Sequence, residues 1–132
     1  MLLPSLTMTA SPSTTPLLIL IAGPYRSGTD DDPAKLSANL RFLESAAWPI
    51  FAAGHIPMIG EWVALPVMEC IGSVVGDAAS LGILTPTAER LLQHCDAVLR
   101  LPGDSTGADN DVRIATELGI PVYTSIEQIP HV

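Results

Sequence analysis

Hydrophobic and polar positions along this chain switch repeatedly between two periods. Residues 16–25, PLLILIAGPY, form an unbroken aliphatic run that stops at Gly23-Pro24. A continuous run of this length suits a strand covered on both faces, as in the centre of a parallel sheet. The next segment, DDDPAKLSANLRFLESAAWPIFAAG, changes to helical spacing, with Leu36, Leu40, Leu43 and Ala47 on one stripe. Asp31 or Asp32 can cap it, Pro33 fits a first helical position and Gly54 ends it. Pro49 should kink this helix or divide it in two. HIPMI (55–59) reads as a short second strand. Residues 61–80 read as one apolar helix followed by a loop, and TPTAERLLQHC (85–95) as a capped helix. DAVLRLP (96–102) is the third expected strand, residues from Ser105 or Thr106 onward a helix, GIPVYTS (119–125) the fourth strand, and SIEQIP a terminal turn.

Strands that alternate with helices predict an α/β fold around a mainly parallel sheet of four to five strands. In such sheets ligands sit beyond the carboxyl ends of the strands, near a topological switch point. Those ends carry the unusual residues of this chain: Gly23-Pro24-Tyr25-Arg26, then Ile59-Gly60-Glu61-Trp62, then Pro102 to Asp111.

Composition narrows the function. The 132 residues amount to one domain, expected over 17–132 after a flexible Ser/Thr/Pro tail at 1–16. That tail lacks the basic start and continuous apolar stretch of a signal peptide. The apolar segment at 63–76 contains Pro66 and Glu69 and is shorter than the roughly 20 residues a membrane span needs. A formal charge of −8 with only six Lys+Arg leaves no basic footprint for duplex nucleic acid or an anionic membrane. Cys70 and Cys95 are far apart and form no CxxC, which suits free thiols in a reducing cytoplasm. His55, His94 and His131 lack metal-ligand spacing.

In the stretch LPGDSTGADNDVRIATELGIPV (101–122), three carboxylates, Asp104, Asp109 and Asp111, crowd a glycine turn. If a helix starts near Ser105, Asp111 shares a face with Ile114, Ala115 and Leu118, so it extends the apolar stripe towards the strand ends. A carboxylate there is partly desolvated, which raises its pKa. Asp109 fits the ordinary preference for acids in a first helical turn. Asp104, Ser105 and Thr106 read as a turn and cap, or as hydrogen-bonding groups for a ligand. Gly107 allows close approach of a ligand or neighbour. AGPYRSG (22–28) has neither GxGxxG nor GxxxxGK[ST] spacing, so it is no dinucleotide or P-loop signature. Tyr25 can orient a carboxylate, and Arg26 can hold a phosphate. Trp62 can stack on a base or close a subunit interface. His55 and Asp96 lie at the opposite strand ends and read as structural, and Asp30 to Asp32 as a solvated capping run.

Five segments taken in order, LILIAGPY, SANL, GHIPMIGEW, CDAVLRLPG and STGADNDVRIATELGIPV, resemble the nucleoside 2-deoxyribosyltransferase-like superfamily, especially its small bacterial and phage-associated branch. The resemblance covers residues 17–125. It implies a flavodoxin-like or Rossmann-like three-layer sandwich assembled as a homodimer or higher homo-oligomer. It also implies cleavage of an N-glycosidic bond in a nucleoside or nucleotide, by transfer to another base or by hydrolysis, with no cofactor. The family nucleophile is a Glu in a pattern like Gly-x-x-x-Glu-x-x-x-Ala, and Asp111 holds that place between Gly107 and Ala115. Tyr25 matches the aromatic that orients it. Asp104 and Ser105 fall near the polar loop that contacts base or sugar, with Asp104 a candidate proton donor. Gly23, Pro24, Arg26, Glu61, Trp62, Gly107 and Asp109 complete the expected substrate-binding set. Asp is one methylene shorter than Glu, about 1.5 Å of reach, and a ~1 Å misplacement can cost 10²-fold in rate. A nucleotide-binding module without chemistry, or an oligomeric interaction protein using the apolar 61–84 segment, is the alternative on the same fold.

Overall fold

A computed structural model describes residues 15–132, so the expected tail falls outside the described residues up to position 14. Strands β1 (Leu18–Ala22), β2 (Ile56–Met58), β3 (Ala97–Arg100) and β4 (Val122–Tyr123) form one all-parallel sheet in the order β2-β1-β3-β4. The chain steps from β1 outward to β2, then returns to the other side of β1 to lay down β3 and β4. This is flavodoxin-like winding, and its switch point lies between β1 and β3.

Side-chain alternation along the strands divides the core. Ile19, Ile21, Ala97 and Leu99 face Leu43, Ala46 and Ile50. These last three belong to α1 (Pro33–Glu44), its following turn and α2 (Ala47–Ala52). Leu20, Ala22 and Val98 face Leu92, Ala108 and Ala115. Those lie on α4 (Leu81–Leu92) and α5 (Thr106–Leu118). Helices therefore cover both faces, as continuous aliphatic strands require.

The expected break at Pro49 occurs, but upstream of the proline itself. Ser45 and Ala46 separate α1 from α2, and Pro49 occupies the third position of α2, where no intrahelical N–H is needed. The segment after β2 forms α3 (Gly60–Cys70) and then a loop, as expected, with Pro66 inside the helix, while α4 begins at Leu81 rather than Thr85, with Pro86 inside it. A proline inside a helix leaves the carbonyl four residues back without its partner. Those carbonyls belong to Trp62 and Gly82, both exposed, so water can take the place of the lost N–H. The earlier start of α4 comes from Asp77, whose carboxylate accepts from Ser73 Oγ and from the N–H groups of Val74, Ala79 and Ser80. That turn aims the chain into α4 four residues before the Thr-Pro signal. The fourth strand is shorter than GIPVYTS because Gly119, at φ 76°, caps α5 and Thr124 N–H turns to Gln128 Oε1.

His55 and Asp96 hold the amino-terminal edge of the sheet, as expected of structural residues. His55 is 2% exposed, and its Nδ1 accepts from Leu17 N–H at 2.9 Å while Nε2 donates to the Pro130 carbonyl. Asp96 accepts from Leu18 N–H at 2.8 Å. Replacing His55 by Ala leaves a backbone donor and an acceptor without partners. The expected loss is ~1–3 kcal/mol of unfolding free energy, read from urea melts. An unchanged midpoint would mean that water replaces both bonds.

Candidate active-site cleft at the switch point

A cleft of about 740 Å³ opens where β1 and β3 end. Its floor comes from Leu20 to Gly23 of β1 and the turn after it. Its walls are the 25–31 loop, the start of α3, the inner face of α4 and the start of α5. Seven of the residues expected from sequence line it together: Gly23, Tyr25, Arg26, Glu61, Ser105, Gly107 and Asp111.

Each is placed by a local cause. Ser105 caps α5 by accepting from Ala108 N–H at 3.0 Å, and its hydroxyl donates to the Gly23 carbonyl at 3.4 Å. That pair ties the start of α5 to the end of β1. With the start of α5 placed by this cap, the helical period brings Asp111 back over the cleft, on the face that also carries buried Ala108 and Ala115. Glu61 is the second residue of α3 and lies in its first turn. Tyr25 is 9% exposed, and its backbone carbonyl accepts from Asn39 Nδ2 at 2.7 Å.

Electrostatics single out the two carboxylates. Asp111 is pushed up from 3.8 to about 7, first by burial, then by the charge of Glu61, with Glu89 adding to it and Arg100 opposing it. Burial also raises Glu61, while its own backbone N–H favours the charged form. Burial raises the Tyr25 phenol, and Glu61 raises it further. Cys95 is buried beneath the same region and pushed up to about 11 by desolvation, then by Asp96 and Asp111. Its thiol stays protonated and unreactive at neutral pH.

Several expected residues stand elsewhere. Asp104 is exposed and outside the cleft lining, so it has neither the burial nor the position of a proton donor. Asp109 is exposed and pairs with Arg100 at 3.0 Å. Trp62 points away, its indole N–H donating to Glu44 Oε2 at 2.8 Å. Pro24 packs against Gly103, whose φ of +116° and lack of a Cβ let the two loops meet; a Cβ there would lie 2.7 Å from Pro24 Cγ. Arg26 lines the cleft but is not a free phosphate ligand: Nε and Nη2 each bond Asp31 at 2.9 Å. Asp31 is thus an ion-pair partner and not simply part of a solvated capping run, and Asp32 alone caps α1. Among the described residues no hydrogen bond joins Tyr25 to Asp111. The expected orientation of the acid by the phenol is replaced by a shared cleft and a shared field.

Arg100 is the residue that pattern reading passed over. Its guanidinium donates to the carbonyls of Leu101 and Gly103 and to Asp109, stapling the loop that leads to α5. The only signal was a cation at the end of an apolar strand. The cleft wall also gains Leu81, Leu84, Thr85 and Ala88, delivered by the early start of α4. Among the described residues no group of three or more His, Cys, Asp or Glu is arranged to hold a metal ion. In comparison with known proteins, no protein-family model matches this chain, and no curated protein matches it.

Proposed function

We propose that the cleft cleaves the N-glycosidic bond of a nucleoside or nucleotide, using Asp111 and Glu61 as a carboxylate pair. The observation that carries this reading is the convergence of Asp111, Glu61 and Tyr25, from three separate elements, on one partly apolar cleft at the switch point. Glycosidic cleavage needs one carboxyl group to hold the developing positive charge at the anomeric carbon and another to protonate the departing base. The cleft supplies both without Asp104. Its volume falls within the roughly 300–1,000 Å³ of small-ligand sites. The family resemblance of the 101–122 stretch supports the same reaction class, and transfer of the sugar to a second base or to water fits the geometry equally.

Wild-type protein incubated with purine and pyrimidine nucleosides and their monophosphates should release free base, followed by chromatography, and Asp111→Ala should not. Wild type as inactive as the variant across the whole panel would remove the support for this reading.

The ligand of this reading is a small nucleoside or nucleotide, and the net charge of −8 argues against duplex nucleic acid. No helix among the described residues is long and apolar enough to cross a membrane. Self-association is part of the same reading, because Val63, Val67, Ile71 and Val74 expose an apolar row along α3 and beyond it. Sedimentation should give a dimer or larger, reduced to monomer by Val67→Glu. The free thiols Cys70 and Cys95 suit a reducing cytoplasm.

A further inference from the structure

The resemblance places attack on the residue at position 111. The cleft argues for a different division of labour, and the inference rests on the glycosidic reading above. We propose that Glu61 is the carboxylate that bonds to the anomeric carbon, and that Asp111 is the acid that protonates the leaving base.

The first ground is position. Glu61 lies in the first turn of α3, an 11-residue helix, where the unpaired N–H groups and the helix dipole favour an anion. Burial raises Glu61, and its own N–H, which favours the charged form, works against that rise. Asp111 is the sixth residue of α5, beyond the turn where the dipole acts, on the face that carries Ala108 and Ala115. No donor among the described residues reaches its carboxylate. Of the two sites, the start of α3 is the better place for a standing negative charge.

The second ground is the surrounding charge. The groups acting on Asp111 from other elements are Glu61 on α3, Glu89 on α4 and Arg100 on β3. Two are acids, and the single cation is already bonded to two carbonyls and Asp109. Tyr25, from the β1 turn, is kept protonated by burial and by Glu61, so it adds no charge at pH 7. Two carboxyl groups whose surroundings separate their proton affinities divide into an acid and a base or nucleophile. The third ground is reach. Glu is one methylene longer than Asp, so the shortness of Asp111 matters only if Asp111 is the attacking group.

The steps balance. Asp111 gives its proton to a ring nitrogen of the base as the bond from C1′ to the base breaks, and its electron pair leaves with the base. A Glu61 oxygen bonds to C1′ to form a glycosyl ester. Water, or an acceptor base in transfer, then attacks C1′ and gives its proton to ionised Asp111, and the ester bond breaks to restore the Glu61 carboxylate. Hydrolysis therefore consumes one water and yields free base and free sugar.

Two measurements test the assignment. Carboxyl ¹³C titration of the wild-type protein, without substrate, should find Glu61 ionised at pH 7 and Asp111 still titrating there. In Glu61→Gln the Asp111 midpoint should fall towards the ordinary carboxyl range. Finding Glu61 protonated and Asp111 ionised would overturn the proposal even if base release is robust, and this readout needs no turnover. Rapid quench with a 2′-fluorinated nucleoside, followed by peptide mapping, should place the sugar ester on Glu61. An ester on Asp111 would overturn the proposal while leaving the glycosidic reading intact. Kinetics should agree: Asp111→Asn loses ~10²–10⁴-fold on ordinary nucleosides but recovers on those whose base leaves without protonation. Glu61→Gln should lose activity on both. The reverse pattern would overturn the assignment.

Discussion

Asp111→Asn should make the protein more stable at pH 8 and, on the proposed function, nearly abolish base release. Asp111 has a folded-state pKa of about 7 against 3.8 for the unperturbed group, chiefly because burial disfavours its charge. A raised carboxyl pKa means that the folded state binds the proton more tightly than the unfolded state. Its contribution is most favourable below pH ~4, declines as the pH rises from there, and levels off above the folded-state value. At about 1.4 kcal/mol per unit the full span is roughly 4 kcal/mol, and partial access of water to the cleft reduces this to ~2–3 kcal/mol. The Asn variant carries no such titration. Its advantage over wild type in denaturant melts should be small near pH 4, grow through pH 5–7 and stay constant by pH 8. Base release at pH 7 should meanwhile fall by ~10²–10⁴-fold, the range for losing a positioned acid or base. A stability difference that does not change with pH would mean that Asp111 titrates normally. A group kept against the stability of the fold is what a functional site predicts.

Leu99→Ala should be the most damaging single core truncation. Leu99 is 0% exposed, pairs with Ile21 and Tyr123 on the two neighbouring strands, and packs in the layer beneath α1 and α2. Closely packed strands around it cannot collapse into the space left, so the loss combines transfer and cavity terms, ~3–5 kcal/mol. Against the ~5–15 kcal/mol typical of a whole domain, that is enough to leave part of the population unfolded at 37 °C. Equilibrium unfolding in urea would measure it. A loss under ~1.5 kcal/mol would place the rigid centre of the core elsewhere. Because β3 leads directly into the 101–105 loop, cleft integrity should fail together with the sheet and not before it.

Most of the framework was legible because its signals are local. The aliphatic run at 18–22, the Asp32-Pro33 helix start and the Ser105 cap each act over a few residues, and each appears where the pattern places it. Asp111 was legible for the same reason: helical period puts it on one face with Ile114 and Ala115, although Leu118, expected on the same stripe, is exposed. The misplaced boundaries have non-local or competing causes. The Thr85-Pro86 pair is a good helix start, yet the Asp77 turn upstream begins the helix first, and Pro86 is tolerated because the residue whose carbonyl it leaves unpaired, Gly82, is exposed. Arg26 reads as a phosphate ligand until its bond to Asp31 is seen, which depends on the tight 26–31 turn with Asp30 and Asp31 at positive φ.

The sequence alone determined the α/β class, the carboxyl strand ends as the place for a site and the candidacy of Tyr25 and Asp111, because strand and helix periods and turn chemistry are short-range properties. It could not set apart Glu61 from the other polar residues near strand ends, or show that Asp111 lines the cleft while Asp104 stays outside it. Those distinctions depend on which groups lose water and which charges face one another across the cleft. Only the packing of α3, α4 and α5 around the carboxyl ends of β1 and β3 decides that.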